Sequence, residues 1–586
     1  MPRLPVPALL IGFAETVRDI AAASGRLEKA DRLGAFLDEL DDADLARAAR
    51  FAAGRVFPLA DRRRVNVGTA AALAALSEAS GQPPGALRAL LVRLGDAGDV
   101  AEHVLPARAE PSGFTLADTE ALGAALAETS GSKARTALLV GALARLAPLE
   151  ARAVVKLVAG DLRMGMLAGG VEAALARHFG RDAATLRRAA MLTGDLGETA
   201  VLARYERLAE ARLRLFAPLA LMLASPAQDA EDAARQLPAP FLAEDKFDGI
   251  RAQVHVAPEA EARHALPPGV PPEDLHGVVV QTERGPVRVA LFSRTLDPLA
   301  DAFPDLLAPL AACALPGGLL LDGEIVPTDP ATGGVAPFQQ LQTRLGRRRP
   351  SAAVMAAAPV SFVAFDVLAR GGEELLDAPL SERLRALAAL GLPLSDAPGR
   401  YVVRRSRAEE VLEADVLDRL FEAARARGNE GLMLKHPAAP YRPGRRGRGW
   451  LKLKRALATL DVVVTAVEVG SGARRHLLSD YTFAVRASED DPALLNIGKA
   501  YSGLTDAELV RLTAWFKAHT RQTFAHGRVR TVEPRIVLEV AFDRVQPSRR
   551  HKSGYALRFP RIVRLREDKR PEDIDTLDAV RALAGA

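Results

Sequence analysis

The chain carries a single cysteine, Cys313, in 586 residues. That excludes an internal disulfide framework and any four-cysteine zinc module, and it suits a reducing compartment. No apolar run approaches the roughly twenty residues a membrane span requires. The opening "ALLIGFA" is short, preceded by Arg3 alone and followed by Glu15 and Arg18, so it reads as a helix start and not a signal peptide. A soluble, cytoplasmic protein is expected. A Walker loop is missing as well: the "GK" at Gly498-Lys499 is followed by Ala500 and lacks the glycine five positions earlier. Nucleotide chemistry in this chain must therefore work without a P-loop. Internal repeats and low-complexity tracts are absent, the bias toward Ala and Arg apart. Charge of one sign is in small excess, 78 Lys and Arg against 73 Asp and Glu, and the net +5 is only a weak hint of a polyanionic partner.

What is present is enough chain for several cores. At about 150 residues per domain the length suggests three or four, and the text changes grammar twice. Up to about residue 215 it is Ala, Leu and Arg at helical spacing, as in "ELDDADLARAARFAAGRVF", which predicts an all-α domain over 1–215. Its fragments "SGSKAR" and "GDLRMGM", the latter with Arg163, put basic side chains at turns where they could meet phosphates or simply face water. From about 240 short strands such as "RAQVHV", "GLLLDGEIV", "VSFVAFDVL", "GLMLK" and "WLKLK" alternate with helical text, predicting an α+β domain with antiparallel sheets over 216–455. The Pro-rich "HALPPGVPPEDLHG" reads as a surface loop within it. After 456, strands such as "LDVVVTAVEVG" and "RIVLEVAFDRV" with one helix predict a β-barrel of the oligonucleotide-binding type over 456–586.

Within "FLAEDKFDGIRAQVHV", Arg251, Gln253 and His255 alternate with Ala252, Val254 and Val256, the pattern of a half-buried strand with one polar face. Asp248-Gly249 is turn chemistry. Lys246 thus ends a strand beside a turn, where pairing with Asp245 or Asp248 would be the ordinary outcome. Further signals argue otherwise. Asp322 and Glu324 end an apolar strand, and Glu430 and Lys435 flank another; charges there need partners. "YRPGRRGRGWLKLK" sets Lys452 and Lys454 on one strand face beside Trp450. Two such cations repel unless an anion joins them, and a phosphate is the natural one. A lysine among cations loses proton affinity and can act as a nucleophile, here at phosphorus. Carboxylate oxygens such as Glu430 and Glu324, with phosphates, suit Mg2+.

In order along the chain stand "EDKFDGIR", "FSR", "LDGEIV", "FVAFD", "EGLMLK", "WLKLK" and "SRRHKSGYALRFPRIVRLREDK". Seven such strings in series resemble the ATP-dependent DNA ligases of the covalent nucleotidyltransferase superfamily, over nearly the whole chain. The resemblance implies an enzyme that uses ATP and Mg2+ to seal nicks in duplex DNA through a lysyl-AMP and an adenylated 5′-phosphate, in repair, replication or recombination, working as a monomer that encircles DNA. It implies Lys246 as the adenylated residue and Glu244 as the reader of the adenine amino group. Arg251 and Arg294 would contact ribose and phosphates, Glu324 the ribose and metal, and Phe365 the adenine face. Trp450 would close the pocket, Glu430 would bind metal, and Lys452 and Lys454 would hold the α-phosphate. Arg558, Arg561, Arg564 and Lys569 would orient pyrophosphate from the C-terminal domain, while Arg163 and Lys435 would contact DNA.

An RNA ligase or capping guanylyltransferase shares the lysine and the strand motifs but usually lacks the long helical segment. An NAD-dependent ligase is expected to carry the four-cysteine module that this composition denies. A silent DNA-binding scaffold would have no use for Lys246, Glu324, Glu430, Lys452 and Lys454 together.

Overall fold

The computed structural model describes residues 7–584 apart from positions 66, 109, 265, 337, 345, 346, 348, 398, 455–457 and 471–473. It forms two compact units, Met1–Lys454 and Arg455–Ala586.

Twelve helices are described between Leu10 and Arg204. Their ends follow local chemistry. Thr115 and Asp118 form a capping box on Leu116–Glu128, and Pro84–Leu94 opens on proline and stops at Gly95 with φ +80. Their apolar stripes build a core of Phe13, Leu45, Phe51, Val154 and Leu175 that continues into Leu320, Leu368, Leu376, Tyr441 and Trp450 of the following sheets.

Twelve strands complete this unit: β1 (Leu223–Ala227), β2 (Phe241–Lys246), β3 (Ile250–Pro258), β4 (Val278–Thr282), β5 (Gly285–Ser293), β6 (Leu319–Pro327), β7 (Val360–Arg370), β8 (Glu373–Glu374), β9 (Val403–Arg405), β10 (Ala408–Val411), β11 (Gly431–Lys435) and β12 (Arg446–Lys454). One sheet runs β1-β12-β11-β2-β10; the other runs β4-β5-β3-β6-β7-β8 with β9 beside β7. Both are antiparallel except for one parallel pair each, β1 with β12 and β7 with β9. The turn from β2 to β3, Phe247–Gly249, joins them, and Gly249 is needed there because a Cβ would lie 2.3 Å from the Ile325 carbonyl oxygen.

The polar face expected on β3 is buried, not solvated. Gln253 and His255 are fully enclosed and hold the chain segment that leads from the helices: the Phe216 N–H donates to His255 Nδ1 at 2.9 Å and the Leu219 N–H to Gln253 Oε1 at 2.8 Å. The Pro-rich stretch is not a free surface loop either. Leu275 pairs with Asp61 across a β-bridge, the Arg62 N–H donates to the Asp274 carbonyl at 2.7 Å, and Leu275 and His276 are buried. Its last residues are tied to the helical segment through backbone hydrogen bonds of Asp274 with Arg62 and of His276 with Ala60.

The second unit contains β13 (Ala458–Val469), β14 (Leu478–Arg486), β15 (Leu494–Ala500), β16 (Thr520–Phe524), β17 (Val529–Val532), β18 (Val537–Phe542), β19 (Arg544–Pro547), β20 (Tyr555–Arg558) and β21 (Arg561–Leu565), with a helix at Asp506–Ala518 capped by Thr505 and Glu508. The expected C-terminal sheet domain is present: its main sheet runs β15-β14-β13-β17-β16, with β18 pairing β13 and β21 pairing β18, and among the described residues its ladder stays open. One edge of β13 is shared by β18 along its first half and β17 along its second.

Candidate active site

The strand register lays the site out in rows. On one face of the first sheet, β2 sets Leu242, Glu244 and Lys246 against Lys435, Met433 and Gly431 of β11, which in turn face Trp450, Lys452 and Lys454 of β12. The opposite face carries Phe241, Ala243, Leu432, Leu434, Leu451 and Leu453 into a separate apolar core. Alternation therefore fixes which side chains are chemical and which are structural.

In the first row Lys246 Nζ lies 2.7 Å from Glu430 Oε2, and Lys454 Nζ pairs with the same oxygen. Of the partners expected for a strand-end lysine, Asp245 is engaged elsewhere, taking Arg427 at 2.6 Å and Asn429 at 2.9 Å. Burial pulls the Glu430 carboxyl up, but Lys246 and Lys454 outweigh it and hold it below the usual carboxylate range. Lys452, in the middle row, has no side-chain partner among the described residues, and burial together with Lys454, Lys246, Arg446 and Arg294 lowers its pKa. Arg294 itself is exposed.

The second sheet supplies the facing wall. Arg251 and Glu324 are register partners on β3 and β6. Glu324 has no side-chain hydrogen bond among the described residues, and burial pushes its carboxyl up to about 8 against the pull of Lys246 and Arg251. Arg251 is not free to grip a phosphate in this structure. Its guanidinium donates to Asp322 at 2.6 and 3.1 Å and to the Met222 carbonyl at 2.6 Å, while Tyr441 donates to Asp322 at 2.7 Å. It underlies the pocket, 5.5 Å from the centre of the Phe365 ring and 5.8 Å from that of Trp450.

Phe365 and Trp450 meet edge to face with centroids 6.1 Å apart. Lys435 lies with them. Expected at the DNA, it is found with its side chain 1% exposed, donating to Glu244 at 2.8 Å. A lysine at the end of an apolar strand looks like a surface cation in sequence; the pairing with Glu244 across β2 and β11 is what buries it.

In the second unit, Arg564 pairs with Glu539 at 2.7 Å and Lys569 with Asp461 at 2.7 Å, Arg561 is exposed, and the Arg558 guanidinium lies 4.9 Å from the Phe559 ring centre. Sequence reasoning passed over Arg566, which bridges Asp461 at 2.9 Å and Asp568 at 2.8 Å and organises that motif. It also missed Tyr441 and the Asp366–Arg383 pair, fully buried at 2.8 Å beneath the pocket. In the helical segment Arg163 adopts φ +50 and stays exposed, its guanidinium donating to the Gly95 carbonyl at 2.8 Å.

Comparison with known proteins decides the family. Family models match over residues 10–176 (DNA ligase N terminus), 275–454 (ATP dependent DNA ligase domain) and 474–569 (ATP dependent DNA ligase C terminal region). A probable DNA ligase of Koribacter versatilis is 42% identical over 97% of this chain and 95% of its own length. The chain belongs to the ATP-dependent DNA ligase family. A DNA ligase of Archaeoglobus fulgidus is 33% identical over 98% of both chains. A solved structure named Pmar-Lig_Pre covers 95% of this ligase and 99% of its own chain with a TM-score of 0.55 at 17% identity, which speaks to the fold alone. In this ligase, then, the row of Lys246, Glu430 and Lys454 lies within the matched ATP dependent domain or just ahead of it.

Proposed function

We propose that Lys246 is the residue adenylated by ATP and that the ligase passes this AMP to the 5′-phosphate of a nicked duplex. The carrying observation is the Lys246–Glu430–Lys454 row with Lys452 beside it: a nucleophile, its proton acceptor and two cations for the phosphate on one rigid sheet. Lys246 Nζ forms a bond to the α-phosphorus, the bond to the β-phosphate oxygen breaks, and pyrophosphate leaves with the electron pair. Glu430, at 2.7 Å, is placed to accept the ammonium proton. Lys452 and Lys454 stabilise the charge that builds on the α-phosphate. A 5′-phosphate oxygen next displaces the lysine, and the 3′-hydroxyl then displaces AMP to close the phosphodiester.

Glu324 and Glu430 would hold Mg2+. Among the described residues no cluster of three or more metal-ligating side chains exists, and one or two carboxylates completed by substrate phosphates and water is the donor set that magnesium takes. When bound, the ion would neutralise the leaving pyrophosphate. Phe365 and Trp450 supply the base pocket, and Arg294 and the C-terminal Arg558, Arg561, Arg564 and Lys569 the phosphate contacts. The helical segment 1–215, with Arg163, grips the duplex, and segments 216–455 and 456–586 carry the chemistry, the ligase acting as a monomer. Such binding reads backbone charge and not bases, so it weakens steeply with salt.

Incubation with α-labelled ATP and magnesium, without DNA, tests this. Label should appear on the protein, be absent in Lys246→Ala, and be discharged by nicked duplex. Label from labelled NAD or GTP in place of ATP, or label that survives Lys246→Ala, rejects the assignment.

A further inference from the structure

We propose that Lys435 is a positioning residue that sets the choice of nucleobase: by donating to Glu244 it fixes that carboxylate as an acceptor-only group, which takes a 6-amino purine and refuses a 6-oxo purine. The inference rests on the adenylation reading above and deepens it.

Lys435 Nζ is 2.8 Å from Glu244 Oε1 and 3.4 Å from the Phe365 carbonyl oxygen, and it sits 4.5 and 4.7 Å from the ring centres of Trp450 and Phe365. The two charged side chains are 1% and 2% exposed. An ammonium so enclosed reaches neither DNA nor a phosphate, and a buried ion pair is a weak source of stability. Its effect falls instead on Glu244. Burial, the largest influence, drives that carboxyl above its usual range toward its neutral form and Asp366 adds to the drive; Lys435, and after it a hydrogen bond from Ser406, pull the other way. The charge of Asp366 is itself taken up by Arg383, which donates to both of its oxygens. Lys246 stands two residues along the same strand but is turned to Glu430, and the β10 side brings Ala408 opposite Glu244 and the uncharged Ser406 hydroxyl, but no charge, to it. Lys435 is therefore the cation in contact with it. The consequence is chemical. An ionised carboxylate only accepts, so it pairs with an exocyclic amine and repels a carbonyl oxygen; a neutral carboxyl gains a donor and can serve either. A site that leaves a buried polar group unpaired against the wrong base discriminates strongly.

The test compares self-labelling with ATP and with inosine triphosphate, which differ at the purine 6-position and its neighbouring N1 proton. Wild type should favour ATP by a ratio that is flat between pH 6 and 8.5. In Lys435→Met the ratio should fall at least tenfold, mainly through a higher KM for ATP, and recover as pH rises and Glu244 ionises; Lys435→Arg should stay within a few-fold of wild type. An unchanged ratio in a folded Lys435→Met, or a wild-type ratio that itself varies with pH, overturns the proposal. Should Lys435→Met not fold, the uncharged pair Glu244→Gln/Lys435→Met must lose the preference equally at every pH, and keeping it overturns the proposal too. Failure of the parent reading looks different: wild type would then take no label from ATP at all.

Discussion

Gly431 stands between Lys246 and Lys454 in the first row of the site, and its backbone explains why no side chain does. Its φ is +146, and a Cβ would lie 2.3 Å from the Leu453 carbonyl oxygen and 2.7 Å from the Phe421 ring. Gly431→Ala should therefore displace Leu453 and with it Lys452 and Lys454. A strained backbone of this kind costs about 1–3 kcal/mol, so a lower melting temperature is expected together with at least a tenfold slower transfer of label from ATP. Thermal melts and the labelling rate measured on the same preparation check this. A variant matching wild type in both would mean that the register does not fix the lysine spacing.

At the scale of elements, β3 carries the segment that follows the helices. His255 is pushed down to about 3 and the nearby His276 to about 4, in each case chiefly by burial. Both pack edge-on against Phe292. The Phe216 N–H already occupies His255 Nδ1, so a protonated ring would set two donors against each other. The folded state thus binds fewer protons than the unfolded chain below about pH 6.5. The stability these rings contribute is present above that pH and is lost as pH falls toward 4 and 3. Between pH 7 and 5, His255 alone should cost about 2 kcal/mol, and His255→Gln should flatten that acid limb in denaturant melts. Equal slopes in wild type and variant would place the ring in water. The burial of β3 was not legible in sequence, because Arg-Gln-His alternation looks the same whether the polar face meets water or another stretch of backbone. What was legible is local: the alternation of β2, β11 and β12, the turn at Asp248-Gly249 and the carboxylates that interrupt apolar strands each follow from neighbours within a few residues. Lys435, Tyr441 and Arg566 escaped because their partners, Glu244, Asp322 and Asp461, lie 191, 119 and 105 residues away. That the C-terminal ladder stays open among the described residues was not legible either, because strand count does not specify closure.

For the whole molecule, composition divides the chain in three, yet packing predicts fewer cooperative parts. The helical core runs without a break into Leu320, Leu368, Tyr441 and Trp450. The same junction carries the Asp61–Leu275 bridge and the ion pairs Arg64–Asp297 at 2.8 Å and Arg188–Glu374 at 2.6 Å. Exposed pairs contribute little, so the shared apolar core is what binds helices and sheets into one unit. Residues from Arg455 on have their own core, with Val462, Phe483, Phe516 and Val540 fully enclosed, and compact cores of this kind unfold as units. Two calorimetric transitions are expected for the full chain, one of which should be reproduced by the fragment Arg455–Ala586 made alone and the other by Met1–Lys454. Because unfolding enthalpy scales with the number of residues, the larger fragment should carry most of the heat. Three transitions, with the helical segment melting separately from the sheets, would show that the common core does not couple them; the junction at Leu275 would then be a hinge and not a weld.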